Sequence, residues 1–193
     1  MRVRYLTKEE INALLEKCPV YPQRIVICAI NTGMRKREIR NLKWDNITNG
    51  FIYLYGDMTK TKEPRQIPIS DDLRVLLKQI RREQQLTSKY IFTYKGNRVE
   101  DVKTVFNAAT KRAEIMDFKF HDLRHTCASH MAMKGASMKE IQEILGHKTM
   151  TLRYAHLSQD HKKKTVNRLN GLTASVICHK TVTTPPQCLC VNL

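Results

Sequence analysis

Four short stretches of this chain combine cationic and proton-transferring side chains at spacings that could bring them to bear on an anion. Thr32-Gly33-Met34-Arg35-Lys36-Arg37-Glu38 reads as a turn between two helices, which delivers Arg35 to a helix opening where unsatisfied N–H groups already favour negative charge. Glu38 lies one turn on and could orient the guanidinium. An arginine in the first turn of a surface helix is usually only solvated, so this stretch alone says little. Phe120-His121-Asp122-Leu123-Arg124-His125-Thr126 places His121, Arg124 and His125 on nearly one face of a helix. The bland alternative is that His121 caps or packs while Arg124 pairs with Asp122 or Glu114. Leu145-Gly146-His147 then puts a histidine just past a helix end, and Arg153-Tyr154-Ala155-His156-Leu157 supplies a tyrosine; either residue could be merely structural.

The elements that must carry these residues are mostly helical. Thr7 with Glu10 three residues later forms a capping-box pattern, and Leu6, Ile11, Leu14, Leu15 and Cys18 recur at helical spacing until Pro19. Ile25 to Ile30 reads as a buried helix broken at Thr32-Gly33, and a second helix from about Met34 turns Ile39 and Leu42 inward. Phe51 to Tyr55 and Gln66 to Ile69 read as two strands joined by a lysine-rich loop, with Tyr90-Ile91-Phe92 a further short strand or extended segment. Ser70-Asp71-Asp72 caps a helix to about Gln84, and Val99 to Ala113 shows helical spacing. Phe120 to Met133, Ser137 to Leu145 and Leu152 to about Leu169 complete the helices. The fold class expected is mainly α with a small antiparallel β-sheet. Residues 1–170 are expected to form one domain and 171–193 a weakly ordered tail.

Composition narrows the partner. The 193 residues hold 34 Lys plus Arg against 18 Asp plus Glu, a net charge of +16 spread along the chain, so a polyanion is the leading expectation. No stretch approaches a transmembrane length and the N-terminus has no apolar signal core, from which a cytoplasmic protein is expected. Of the six cysteines, Cys18, Cys28 and Cys127 lie in apolar helical patterns and are expected to be free thiols. Cys178, His179, Cys188 and Cys190 fit no common zinc spacing, so no metal site is expected. A nucleotide-binding Walker loop is absent, as are a carboxylate cluster for two Mg²⁺ ions and an aromatic RNA-recognition strand.

The stretches Thr-Gly-Met-Arg-Lys-Arg-Glu (32–38), His-Asp-Leu-Arg-His (121–125), Leu-Gly-His (145–147) and Arg-Tyr-Ala-His-Leu (153–157) occur in the order and at about the separations of the tyrosine recombinases and phage integrases. The resemblance runs from about Leu6 to about Leu169, and four ordered motifs make it far more specific than any one. It implies the tyrosine recombinase catalytic-domain fold, with Arg35, His121, Arg124 and His147 around a scissile phosphate and Tyr154 attacking it. It also implies a lysine in the loop between the two strands. Lys60 matches best by its distance from Pro68, with Lys62 the less favoured candidate.

Phosphoryl transfer explains why these residue types are needed. Charge builds on the nonbridging oxygens, so positioning and electrostatic stabilisation dominate. Planar guanidinium groups at Arg35 and Arg124 can each grip phosphate oxygens by two parallel hydrogen bonds while staying charged. A tyrosine with a pKa of about 10 must lose its proton as it attacks, and His121 is the candidate base. The resemblance assigns Lys60 as general acid to the departing 5′-oxygen and His147 as a hydrogen-bond donor to a nonbridging oxygen. The covalent 3′-phosphotyrosine conserves the energy of the broken bond, so no metal or nucleotide cofactor is called for.

Double-stranded DNA is therefore the expected partner, with four protomers on two duplexes and a monomer when free. Two features depart from the family pattern. Only Lys148 to Arg153 separate His147 from Tyr154, a couple of residues fewer than usual, which keeps open a non-catalytic DNA-binding remnant as the alternative. The catalytic pattern also begins at once, so the N-terminal DNA-clamping domain of the family is expected to be absent, and the tail after Gly171 either stays loose or passes to a neighbouring protomer.

Overall fold

A computed structural model describes residues 4–57, 59, 63–84 and 88–146. Thr7 Oγ1 accepts from the Glu10 N–H and the Glu10 carboxylate accepts from the Thr7 N–H, closing the capping box that starts α1 (Lys8–Lys17). Its inward edge buries Leu14, with Leu6 and Cys18 packed at either end. Helix α2 (Val20–Thr32) starts five residues before the apolar run from Ile25, because Pro22 sits in the first turn, where a missing N–H costs nothing. Gly33 ends α2 in the left-handed conformation (φ 63°), and the short α3 (Lys36–Arg40) follows.

The strands pair as an antiparallel sheet in the order β1 (Ile47–Thr48), β2 (Phe51–Leu54), β3 (Arg65–Pro68). Two-residue alternation puts Ile52 opposite Ile67 and Leu54 opposite Arg65 on the core face. Helix α4 (Asp71–Gln84), begun by Ser70 Oγ accepting from the Leu73 N–H, buries Leu73, Leu76, Leu77 and Ile80 at helical spacing. Each such aliphatic side chain contributes about 1.5–3 kcal/mol on burial. A second small sheet, β4 (Thr93–Tyr94) with β5 (Asn97–Arg98), begins just after the extended segment expected at 90–92, where Tyr90 makes only a bridge to Lys43. Helix α5 (Lys103–Arg112) starts four residues later than the periodicity suggests. Val99 and Val102 are buried as expected, but from the connection ahead of the helix.

Helix α6 (Asp122–Met133) packs across α2, and α7 (Met138–Leu145) packs on α6 through Ala128, Ala132, Ile141 and Leu145. Ser137 and Glu140 cap the start of α7, and Gly146 ends it at φ 67°. The result is mainly helical with small antiparallel sheets. Cys18, Cys28 and Cys127 are free and buried, and burial pushes the Cys127 thiol up to about 12, which makes it inert. Among the described residues no helix is long and apolar enough to cross a membrane, and no group of three or more His, Cys, Asp or Glu is placed to hold a metal ion. The helix expected over 152–169, the tail after Gly171 and its cysteines lie outside the described residues.

Gly33 sets how closely α2, α6 and α7 approach. A Cβ there would overlap Leu145 Cδ2, with Cys127 Sγ 3.4 Å away, and the positive φ is strained for any L side chain. Gly33→Ala is therefore expected to cost about 1–2 kcal/mol from the left-handed backbone alone. Urea unfolding monitored by circular dichroism measures this, and an unchanged midpoint would show that residue 33 is not held in the left-handed conformation.

Candidate active site

Arg35 occupies the N-cap position of α3, where its own N–H donates to Glu38 Oε2 at 2.8 Å and its guanidinium donates to Glu38 Oε1 at 2.9 Å. The carboxylate one turn on thus fixes both ends of the residue. Glu38 is nearly sealed from solvent, with a side-chain exposure of 2%, and a second arginine completes its surroundings. Arg65 reaches both carboxylate oxygens, at 2.7 Å and 3.3 Å. Burial pushes the Glu38 carboxyl up, but the hydrogen bonds and charge of Arg65 and the contacts from Arg35 outweigh it, so its pKa lies below the ordinary carboxylate range.

Arg124 enters from the first turn of α6 and is 3% exposed. Its guanidinium donates to the Gly33 carbonyl at 2.6 Å and to the Leu145 carbonyl, the closing residues of α2 and α7. Helix C-termini carry unsatisfied carbonyls and the negative end of the macrodipole, which suits a buried cation. Burial, with Arg35 and Arg65 nearby, lowers the Arg124 pKa to about 10, so the group stays charged at neutral pH. The alternative pairing with Asp122 is not what the structure has: Asp122 turns to accept from the Lys119 N–H at 2.7 Å.

His121 stands at the N-cap of α6 rather than inside the helix, its ring edge-on to His125 with centroids 5.4 Å apart. Arg35, His121 and Arg124 line one cleft of about 780 Å³ together with Lys36, Lys103, Lys119 and Phe120. No carboxylate lines it among the described residues. Lys36 is partly neutralised by Asp101 at 2.9 Å. Such a cleft can bind a phosphate and stabilise added negative charge on it. Lys60, His147 and Tyr154 lie outside the described residues. The chain that leads to His147 leaves α7 at Leu145, whose carbonyl Arg124 holds.

Arg65 did not stand out in the sequence. A strand taken from Gln66 leaves Arg65 in the lysine-rich loop, whereas β3 begins at Arg65 itself. The signal was available: a residue two positions before buried Ile67 shares its face, so this arginine has to point inward.

Residues 4–161 match the phage integrase family, which covers well over half of the chain, and the chain belongs to that family. It is 30% identical over 190 residues to the integrase of Salmonella phage P22, covering 89% of this chain and 48% of that protein. It is 32% identical over 179 residues to the tyrosine recombinase XerA of Pyrococcus furiosus, covering 86% of this chain and 62% of that protein. The fold matches the catalytic domain of bacteriophage HP1 integrase with a TM-score of 0.68 and 32% identity, covering 90% of this chain and 98% of that one. The chain thus spans about half to three fifths of the length of the two curated relatives.

Because the Glu38 pKa is depressed in the folded state, its contribution to stability is present above the unfolded carboxyl value and is lost as pH falls through the lower folded value. Glu38→Gln leaves buried Arg65 without a counter-charge and is expected to cost about 3 kcal/mol at pH 7. The gap to the unmodified chain should narrow on acidification below about pH 4, the ordinary carboxylate range. Paired urea titrations at neutral and acid pH read this directly. An equal gap at both would mean that Glu38 is not charged in the fold.

Proposed function

We propose that this chain cleaves and rejoins duplex DNA in site-specific recombination, with Tyr154 as the nucleophile. The observation that carries the reading is the convergence of Arg35, Arg124 and His121 on one carboxylate-free cationic cleft. Family membership and the ordered motifs support the remaining assignments. In the forward step Tyr154 Oη attacks phosphorus, its proton passing to His121. A bond from phosphorus to the tyrosine oxygen forms and the bond to the 5′-oxygen breaks. Lys60 gives that oxygen its proton, so the strand leaves as a 5′-hydroxyl. Arg35 and Arg124 hold the nonbridging oxygens while His147 donates to one of them. Running the step backwards with a different 5′-hydroxyl rejoins the strands without outside energy.

Binding follows from the same charge. Lys103 and Lys119 flank the arginines and suit the phosphates on either side of the one attacked. Since each protomer supplies one tyrosine and a full exchange breaks four strands, four protomers on two duplexes make the working assembly.

A duplex nicked beside the cleavage position loses a short fragment after attack, which traps the covalent adduct. The unmodified chain should accumulate adduct and Tyr154→Phe none, while Arg124→Ala should slow trapping by about 100- to 1,000-fold. Adduct formed equally by Tyr154→Phe would remove the nucleophile assignment. DNA binding by Tyr154→Phe with no adduct from any form of the chain would favour a non-catalytic DNA-binding remnant.

A further inference from the structure

Arg65 connects three parts of the site through one side chain. Its two terminal nitrogens reach the two oxygens of Glu38, and its Nε donates to the Ile144 carbonyl in the last turn of α7 at 3.2 Å. The side chain is 8% exposed. Its stem runs directly over Gly146, where a Cβ would lie 2.9 Å from Arg65 Cδ and where φ is +67°. The closing carbonyls of α7 are thus divided between two arginines, Ile144 to Arg65 and Leu145 to Arg124. In sequence, His147 follows this turn immediately, and Lys60 precedes Arg65 by five residues.

An ion pair this buried could serve stability alone. The geometry argues for more, because the same guanidinium engages both oxygens of the carboxylate that orients Arg35 and also fixes the end of α7, which His147 follows by two residues in sequence. A planar fork can satisfy three acceptors in one plane, whereas an ammonium can supply the charge without fixing the orientation. We propose that Arg65 is a positioning residue for DNA cleavage, setting Arg35 through Glu38 and setting the turn ahead of His147 through the Ile144 carbonyl. This rests on the cleavage reading given above.

The test is single-turnover adduct formation on the nicked duplex by the full chain, read per folded molecule below the melting temperature of every variant. Arg65→Lys keeps the charge and Arg65→Ala removes it. Ile80→Ala, in the core of α4 away from the cleft, supplies a control of lowered stability. At saturating DNA, Arg65→Lys should be slower by on the order of 10- to 100-fold, the cost of a small misplacement of reacting groups. Its half-saturating DNA concentration should stay within about threefold, since the phosphate contacts themselves remain. Arg65→Ala should be at least as slow, and Ile80→Ala should cleave at close to the unmodified rate. Cleavage by Arg65→Lys at the unmodified rate, or an equal slowing in Ile80→Ala, would overturn the role of Arg65 while leaving the cleavage reading in place. Absence of adduct from the unmodified chain would overturn the cleavage reading and the role of Arg65 with it, an outcome the unmodified chain alone reveals.

Discussion

The structure turns on a guanidinium buried where two helices end. Arg124 is almost sealed from solvent, yet it reaches the Gly33 and Leu145 carbonyls, the closing acceptors of α2 and α7. A charge taken out of water costs several kcal/mol unless its donors are met, and the ends of two helices meet them with oriented dipoles. The requirement works in both directions. Arg124 can be buried only if α2 and α7 stop at these points, and both stop at left-handed glycines, Gly33 and Gly146. The close approach of the helices over Gly33 and the path of the Arg65 stem over Gly146 then leave no room for a side chain at either position.

Electrostatics make the same site receptive to an anion. Three guanidinium groups, from Arg35, Arg65 and Arg124, gather around the single carboxylate of Glu38. Arg124 holds its proton less firmly than a free guanidinium, first because it is buried and then because Arg35 and Arg65 stand near it. A phosphodiester in the neighbouring cleft would offset that repulsion, and arginines already fixed in place need little rearrangement when charge grows on the phosphate. Lys103 and Lys119 extend the attraction along the cleft walls.

Much of this arrangement was legible in the residues. Capping pairs at Thr7 and Ser137, the glycine stops and the apolar period of α4 are local rules, and the structure follows them. Arg35, Glu38 and Arg124 stood out because they sit beside helix starts and a turn. Less legible was anything decided by distant packing. Val99 and Val102 imitate a helical period while being buried from a connection, and Pro22 in the first turn of α2 hides the start of a helix that its apolar later turns reveal. The inward direction of Arg65 depended on placing one strand boundary a single residue earlier. Lys60, His147 and Tyr154 were legible only through the order of the family's motifs, since nothing in their immediate neighbours distinguishes them from surface residues.

The central claim is that Arg35 and Arg124 act on the charge of the phosphate being attacked. A substrate in which methyl replaces one nonbridging oxygen at the cleavage position tests it most directly, because that linkage is neutral while the rest of the duplex is unaltered. If the arginines serve that charge, the penalty for Arg35→Ala or Arg124→Ala should fall on the neutral linkage by at least about tenfold relative to the ordinary diester, an amount of about 1.4 kcal/mol. An identical penalty on both linkages would contradict the claim and would place the two arginines in the scaffold rather than at the phosphate.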